Sequence, residues 1–439
     1  MSKKICQYVV ESSPISELNN SKTLPHHKEK QNDEISCTFA QNLYQDMFIS
    51  HIISQSGSLS ECGEIEREKM PTSHSRQSNK TKPNLSTQQL ILTMMIPTIN
   101  KNSTCGDKHY KPPTTFPIGP FKRYKHNPIM KPDPNVEFES AYLYNATAIV
   151  IDDHVVMLYR AQNKAKLSSV GIAWSSDGVT FHKHKKPIIT ATEPYEEGGG
   201  IEDPRIVRDP ELKLFIVTYT AYDLHTARLC VATSEDLFHW IKLGPIVPPT
   251  WSDIAVTSNG NRIVRKNWLK SGAIFNEKSK DGKYYMIWGA CQLHLAESED
   301  LIHWKLTSNS VNSNTFAKQV LHRENKLIES GPAPIKMGGG GDGASNQWIF
   351  IYNAATTGGF DLPPETYTVN AMLIDYDNIK QGPVARLEHP ILKPQLLNEV
   401  EGQVNKVVFC EGIVQFKGHW FLYYGQGDSE LGVAIAPVT

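Results

Sequence analysis

Short runs of apolar and aromatic residues alternate with polar turns along residues 116–439 of this 439-residue chain. The runs are rich in β-branched and aromatic side chains and are bounded by Gly, Asp or Lys, a pattern that predicts β-strands. No long stretch with helical spacing interrupts them. We therefore predict an all-β fold for this part of the chain.

The strand pattern repeats. Five similar runs recur at intervals of about 60–70 residues, which is typical of repeat architectures. They are Val155–Arg160, Leu214–Tyr219, Tyr284–Trp288, Trp348–Asn353 and Trp420–Gly425. Five strand-rich units with no helices between them predict a five-bladed β-propeller, whose ring closure leaves few exposed sheet edges. A two-sheet sandwich is the alternative, but it does not account for the period.

A second motif, Ser-x-Asp-x-x-x-aromatic, follows the first three of these runs. An Asp at such a position makes a turn by accepting hydrogen bonds from the backbone just after it. We therefore interpret Asp177, Asp236 and Asp300 as structural turn formers and not as catalytic acids.

Residues 1–115 differ in composition from the rest of the chain. They are rich in Ser, Asn, Gln, Lys and Glu, and they contain no Trp and only three glycines. Such a segment buries too little apolar surface to offset the entropy of ordering it. We expect a mostly disordered N-terminal extension over 1–115 and a propeller domain over 116–439.

Charge and composition limit the partners. The chain has 45 basic and 46 acidic residues, so no basic field favours a nucleic acid. No apolar run approaches the length of a membrane span, and Met1–Val10 lacks the apolar core of a signal peptide, so we expect a cytoplasmic protein. No His or Cys cluster has metal-ligand spacing, so we expect neither a metal nor another cofactor. A homo-oligomer is left open.

The segment Gly198–Arg205, Gly-Gly-Gly-Ile-Glu-Asp-Pro-Arg, carries the strongest chemical signal. Its glycines allow close backbone approach to a ligand. Asp203 is a candidate proton donor, Glu202 is expected to shape the turn, and Arg205 is expected to act as an anchor or charge partner.

Polar residues that break or end a strand occur in every repeat unit. Because a propeller binds ligands at its central channel, we expect these side chains to converge on one site. The candidates, in chain order, are Asn145, Arg160, Asp203, Arg205, Asp223, Lys270, Glu329, Asn353, Glu411, Tyr424 and Asp428.

Several carboxylates at one site suit glycoside chemistry. In inverting enzymes one carboxyl group protonates the leaving oxygen and a second activates water, and the two lie roughly 6.5–9.5 Å apart. Phosphate could replace water as the nucleophile, but it would need a cluster of Arg, Lys and His to hold a dianion.

Taken together and in this order, Asn145, Tyr159-Arg160, the segment ending at Arg205 and Tyr424-Gly-x-Gly-Asp428 resemble glycoside hydrolase family 130. The resemblance runs from about residue 117 to the C-terminus. It implies a five-bladed propeller and inverting β-mannoside phosphorylases, with a smaller branch of hydrolases. It also implies that Asp203 is the general acid, acting through a hydroxyl of the sugar, and that Asn145, Arg160 and Asp428 contact the mannosyl unit.

The residues at the expected phosphate site depart from the phosphorylase pattern. The usual Tyr-His pair is Tyr352-Asn353 here, and Lys270 does not match cleanly. Glu329 and Glu411 place carboxylates where phosphorylases tend to have small residues.

From these departures we predict hydrolysis of β-mannosidic bonds in short manno-oligosaccharides, with Glu329 as first and Glu411 as second choice for the base. The alternatives are a phosphorylase that uses inorganic phosphate as co-substrate, and a propeller that binds glycans without catalysis.

Overall fold

A computed structural model describes residues 97–246, 251–339, 346–359 and 361–439. We expected a mostly disordered N-terminal extension over residues 1–115. Residues 1–96 lie outside the described residues, so for them this stays a prediction. Residues 97–115 pack on the strands, upstream of the boundary expected at residue 116. Ile99 is buried, and Gly106 donates a backbone hydrogen bond to Val150.

The described chain is mostly β-structure, as predicted. In chain order, its strands are β1 (Lys122–Arg123), β2 (Tyr142–Ile151), β3 (His154–Gln162), β4 (Ser168–Ser175), β5 (His182–Lys183), β6 (Gly200–Arg208), β7 (Phe215–Tyr222), β8 (Ala227–Ser234), β9 (Ile241–Pro245), β10 (Ser252–Val256), β11 (Arg262–Lys266), β12 (Gly272–Ile274), β13 (Tyr284–Trp288), β14 (Leu293–Ser298), β15 (Trp304–Leu306), β16 (Thr315–Ala317), β17 (Leu327–Ser330), β18 (Ile335–Lys336), β19 (Gln347–Ala355), β20 (Tyr367–Asp375), β21 (Ala385–Arg386), β22 (Val408–Phe416), β23 (His419–Gln426) and β24 (Glu430–Pro437).

The helical segments of the described chain are short. They are the 3-10 turns η1 (Glu137–Glu139), η2 (Pro194–Glu196), η3 (His322–Glu324) and η4 (Tyr376–Gln381), and the α-helical turns α1 (Val311–Asn314) and α2 (Leu397–Val400). The longest has six residues, so none of the described helices has the length of a membrane-crossing helix.

Most strands belong to five antiparallel groups, named A to E in chain order. Group A is β2–β5, group B is β6–β9, group C is β12–β16, group D is β17–β21, and group E is β22–β24 together with β1. A parallel pair between Ser168 and Gly200 joins A and B into one eight-stranded sheet. In group E, β1 pairs with β24, so the start and the end of the strand-rich region share one sheet.

The predicted strands and turns are confirmed. Each of the five repeated runs lies in the second strand of its group or, in group D, in β19. Asp177 accepts backbone hydrogen bonds from Val179 and Thr180 at 2.9 and 2.7 Å. Asp236 and Asp300 make the equivalent bonds.

A buried set of Tyr, Glu and a cation recurs in groups A, B, D and E. In each set a Glu on a helical turn accepts a hydrogen bond from a Tyr hydroxyl and pairs with a Lys or Arg near the group's outer edge. The sets are Tyr159–Glu139–Lys183, Tyr219–Glu196–Lys242, Tyr352–Glu324–Arg386 and Tyr424–Glu399–Arg123. A buried carboxylate is tolerated when it is paired and hydrogen-bonded, so each set ties together a turn and two strands.

Group C has a different arrangement at the corresponding place. Its second strand ends at Trp288, whose ring centroid lies 4.8 Å from that of His294 and 5.1 Å from that of Trp251. Burial lowers the pKa of His294 to about 3, so this imidazole is neutral and packs as an aromatic ring.

The sets make a testable prediction for stability. Tyr424 donates a hydrogen bond of 2.8 Å to the buried Glu399, and bonds to a charged group contribute more than neutral ones. We expect Tyr424→Phe to lower the free energy of unfolding by about 1–2 kcal/mol, measured by urea denaturation. Tyr222→Phe, which removes an exposed hydroxyl, is the control and should change it by less than about 0.5 kcal/mol. Equal effects of the two would contradict the prediction.

Candidate functional site

Three β-bulges deliver polar side chains to one region. The strands β2, β6 and β22 each contain a register shift, at Asn145, at Asp203 and at Glu411. A bulge bends its strand and re-aims a side chain. β2 lies against both β6 and β22, so the three bulges come together although they are far apart in sequence.

Backbone strain marks the same region. Asn145, Asp203, Ser271 and Asp428 have positive φ values of 45°, 52°, 63° and 50°. Residues other than Gly rarely adopt this conformation, and where they do the surrounding structure holds them in it. The four residues come from groups A and B, from the start of group C and from group E.

Asp203 is the centre of the cluster, with its side chain 1% exposed. Asn145 donates to its Oδ1 at 2.8 Å and Arg160 donates to the same oxygen at 3.1 Å. Lys270 donates to Oδ2 at 3.1 Å. Both oxygens of the Asp203 carboxylate therefore have hydrogen-bond donors, and these donors come from outside strand group B.

Lys270 links Asp203 to Glu329. Its ammonium nitrogen lies 3.0 Å from Glu329 Oε1 as well as 3.1 Å from Asp203 Oδ2. These two facing oxygens are therefore no more than about 6 Å apart, closer than the roughly 6.5–9.5 Å given above for an inverting pair. The acid and the base predicted from the sequence thus share one cation.

Arg205 forms a second, fully buried ion pair, with Glu411 at 2.8 Å. The remaining donors of Arg205 bind backbone carbonyl oxygens of Asp203, Ser330 and Gly331. Glu411 Oε2 is buried and has no partner among the described residues. Arg205 therefore holds the bulge of β6 against groups D and E.

The acids of the cluster have pKa values that are shifted in opposite directions. Burial alone would raise the pKa of Asp203, but Lys270, Arg160 and Arg205 outweigh this effect and hold that pKa far below its usual range. Asp203 is therefore ionised. To donate a proton it must first gain one.

The other acids show the opposite shift. Burial raises the pKa of Asp428 to about 7 although Arg160 opposes the rise. Burial also raises the pKa of Glu202 and, well above its usual range, that of Glu411. The site thus combines one carboxylate that cations keep charged with carboxyl groups that hold protons more strongly than usual.

Eight of the eleven predicted site residues meet in this cluster. Asn145, Arg160, Asp203, Arg205, Lys270, Glu329 and Glu411 are joined by the contacts above, and Asp428 interacts electrostatically with Arg160 and Asp203.

The other three predicted residues lie elsewhere. Asp223 pairs with Arg228 at 2.7 Å and caps a turn after β7. Tyr424 is fully buried and donates to Glu399. Asn353 is fully buried, and its amide bonds to both backbone groups of Cys410. Asn353 thus fixes the strand just before Glu411.

Sequence reasoning missed two members of the site. Glu202, expected only to shape the turn, forms an ion pair with Arg160. Successive strand residues point to opposite faces, and the bulge between Glu202 and Arg205 removes that alternation. Ser271 donates a hydrogen bond to Glu329. Its only sequence signal is its place between Lys270 and Gly272.

No group of three or more His, Cys, Asp or Glu side chains within the described ranges has an arrangement suited to a metal ion. What the cluster offers chemically is a set of carboxyl groups with separated proton affinities, together with cations and an amide that can orient hydroxyl groups.

Known proteins resemble this chain over the strand-rich region. The model of glycoside hydrolase family 130, described as beta-1,4-mannooligosaccharide phosphorylase, matches residues 120–439. A 1,2-beta-oligomannan phosphorylase of Thermoanaerobacter sp. (strain X514) is 29% identical over 72% of this chain and 96% of its own length. A beta-1,2-mannobiose phosphorylase of the same organism is 29% identical over 71% of this chain and 96% of its own length.

A solved structure with 31% identity and a TM-score of 0.63 covers 74% of this chain and 96% of its own. It is described by the words "The GH130 family of mannoside phosphorylases contains glycoside hydrolases that target beta-1,2 mannosidic linkages in Candida mannan". The family match extends over far more than half of the chain and includes every residue of the cluster described above. The chain belongs to glycoside hydrolase family 130.

Proposed function

We propose that this protein cleaves β-mannosidic bonds of short manno-oligosaccharides with inversion, and that water is the acceptor. The two curated relatives and the family description name phosphorylases, so these comparisons support the phosphorolytic alternative better than hydrolysis. The 31% identical structure is described in words that name hydrolases of β-1,2 linkages. The ground for choosing water is the geometry of the cluster.

The observation that carries the choice is that acids of the protein already pair with each of the three cations of the cluster. Every side-chain nitrogen of Arg160, Arg205 and Lys270 has a carboxylate, carbonyl or hydroxyl oxygen of the protein as acceptor. Five acids, Glu202, Asp203, Glu329, Glu411 and Asp428, surround these three cations. A phosphate dianion needs free Arg, Lys or His donors, and it would meet a site with an excess of acids.

The proposed fold places these groups around one channel. We infer that groups A to E are the five blades of a propeller, an inference supported by the five antiparallel groups and by the pairing of β1 with β24. In this arrangement each group's contribution to the cluster comes from the end of a blade nearest the axis.

Asp203 is the proposed general acid. A sugar that enters between Asp203 and its cations weakens the stabilisation of the anion, so Asp203 gains a proton as substrate binds. As the bond from the anomeric carbon to the glycosidic oxygen breaks, that oxygen receives the proton by way of a sugar hydroxyl. Asn145 and Arg160 orient the same mannosyl unit.

Glu329 is the proposed general base. As the water oxygen bonds to the anomeric carbon, Glu329 takes the water proton, and free mannose results. Glu411 is less suited to this step because burial raises the pKa of its carboxyl group and Arg205 already occupies one of its oxygens.

The acceptor is tested with β-1,2-mannobiose in phosphate-free buffer. We expect mannose to be released at a rate that changes by less than about twofold when phosphate is added, since acids of the protein already pair with Arg160, Arg205 and Lys270. Anion-exchange chromatography measures mannose 1-phosphate. If sugar is released only with phosphate, and as mannose 1-phosphate, hydrolysis is wrong and the phosphorylase alternative holds.

The assignment of the base is tested by comparing Glu329→Gln with Glu411→Gln. General base catalysis contributes typically 10²–10⁴-fold, so we expect kcat of Glu329→Gln to fall by about that factor. Glu411→Gln keeps an acceptor for Arg205, and we expect it to lose less than about tenfold. Glu197→Gln, an exposed neighbour of the Gly198–Arg205 segment, is the control. If Glu411→Gln shows the larger loss, the base is Glu411.

The excess of acids also has a consequence for stability. Because the pKa of Asp428 is raised to about 7 by burial, the folded protein holds a proton between about pH 4 and pH 7 that the unfolded chain has lost. Folding stability therefore falls as pH rises through this window. We expect Asp428→Asn to be more stable than the parent at pH 8, by at most about 4 kcal/mol, and equal to it near pH 4.

Urea denaturation at the two pH values measures this difference. Asp223→Asn is the matched control, since hydrogen bonds and Arg228 lower the pKa of Asp223 against the effect of burial. Its ionised form stabilises the fold, so this variant should be less stable than the parent at pH 8. A pH-independent effect of Asp428→Asn would contradict the burial of its charge.

A further inference from the structure

Ser271 stands out among the residues around Glu329 because nothing in the reaction so far requires it. It precedes β12, is completely buried and has a φ of 63°. It shares this strained conformation with Asn145, Asp203 and Asp428 of the cluster. Strain of this kind persists where the surrounding structure holds the residue in place, and it concentrates at functional sites.

The side chain of Ser271 has one hydrogen-bond acceptor, Glu329 Oε1. The same oxygen accepts from Lys270 Nζ at 3.0 Å. Two donors from neighbouring residues of one segment therefore fix Oε1. A carboxylate held at one oxygen in this way presents its other oxygen, Oε2, to a reactant.

We propose that Ser271 is a positioning residue for the base, which its hydroxyl orients so that Glu329 Oε2 takes the proton from water. The inference rests on the proposed function. When water attacks, its O–H bond breaks, the proton passes to Oε2, and the water oxygen bonds to the anomeric carbon. Ser271 keeps its own proton throughout, because it donates to Oε1 before and after this step.

The other charged and titratable groups around Glu329 remain in place in a Ser271 variant. They are Lys270 and Cys291 near group C, Glu202 and Asp203 of group B, Tyr367 of group D, and Glu411 and Asp428 of group E.

The test uses Ser271→Ala and Ser271→Gly in the full chain, with β-1,2-mannobiose as substrate in phosphate-free buffer. Both variants lack the hydroxyl, but Gly adopts a positive φ without strain, so it keeps the test valid if the Ala variant folds poorly. For both we expect kcat to fall about tenfold and KM to stay within about twofold, because the base is misaligned while substrate binding is kept.

Ser279→Ala is the matched control. It removes another buried serine hydroxyl, one that donates to the backbone oxygen of Tyr376, so its kcat and KM should be those of the parent. If both Ser271 variants also keep the parent's kcat, the positioning role is overturned.

A double-mutant comparison separates this inference from the proposed function. In a Glu329→Gln background, Ser271→Gly should have no further effect on kcat, because the group that it positions is gone. If Glu329→Gln alone keeps full activity, the proposed base is wrong. If Glu329→Gln is inactive but Ser271→Gly is silent in the parent, only the role of Ser271 fails.

Discussion

The site depends on keeping one buried carboxylate charged. Asp203 has almost no contact with solvent, and a lone anion at such a place would take up a proton. The hydrogen bonds from Asn145, Arg160 and Lys270 prevent this. Since these donors come from groups A and C while Asp203 lies in group B, the charge state of the acid depends on how the groups are packed together.

That packing is itself secured by buried charges. In groups A, B, D and E a buried Glu joins a Tyr of one strand to a Lys or Arg of another and lies on a helical turn next to them. These sets lie apart from the cluster and share no residue with it. Group C, in which Trp288 and His294 take this place, contributes Lys270 and Ser271, the donors that bind Glu329. Carboxylates paired with Lys or Arg thus occur both in the sets that stabilise the fold and in the polar cluster. Their position in the fold decides which of these two roles they have.

Tyr424 and Asn353 lie outside the polar cluster, which sequence position alone does not reveal. Both lie near motif residues of the family, and both were expected to contact substrate. The Tyr424 hydroxyl belongs to the Tyr, Glu and cation set of group E. The Asn353 amide forms hydrogen bonds with the backbone of Cys410, next to Glu411. Glu202 was expected only to shape the turn. In a regular strand the side chains of Glu202 and Asp203 would point to opposite faces, but the bulge brings both into contact with Arg160.

The sequence by itself determined the β-rich architecture, the five repeated strands, the Asp turns and eight members of the polar cluster. These follow from local rules, because strand patterning, turn chemistry and a family motif are each written within a few consecutive residues. The tertiary structure alone decided the protonation of Asp203, the sharing of Lys270 between acid and base, and the contact of Ser271 with Glu329. The physical reason is that burial and charge pairing depend on which distant strands become neighbours, and no short segment of the chain contains that information.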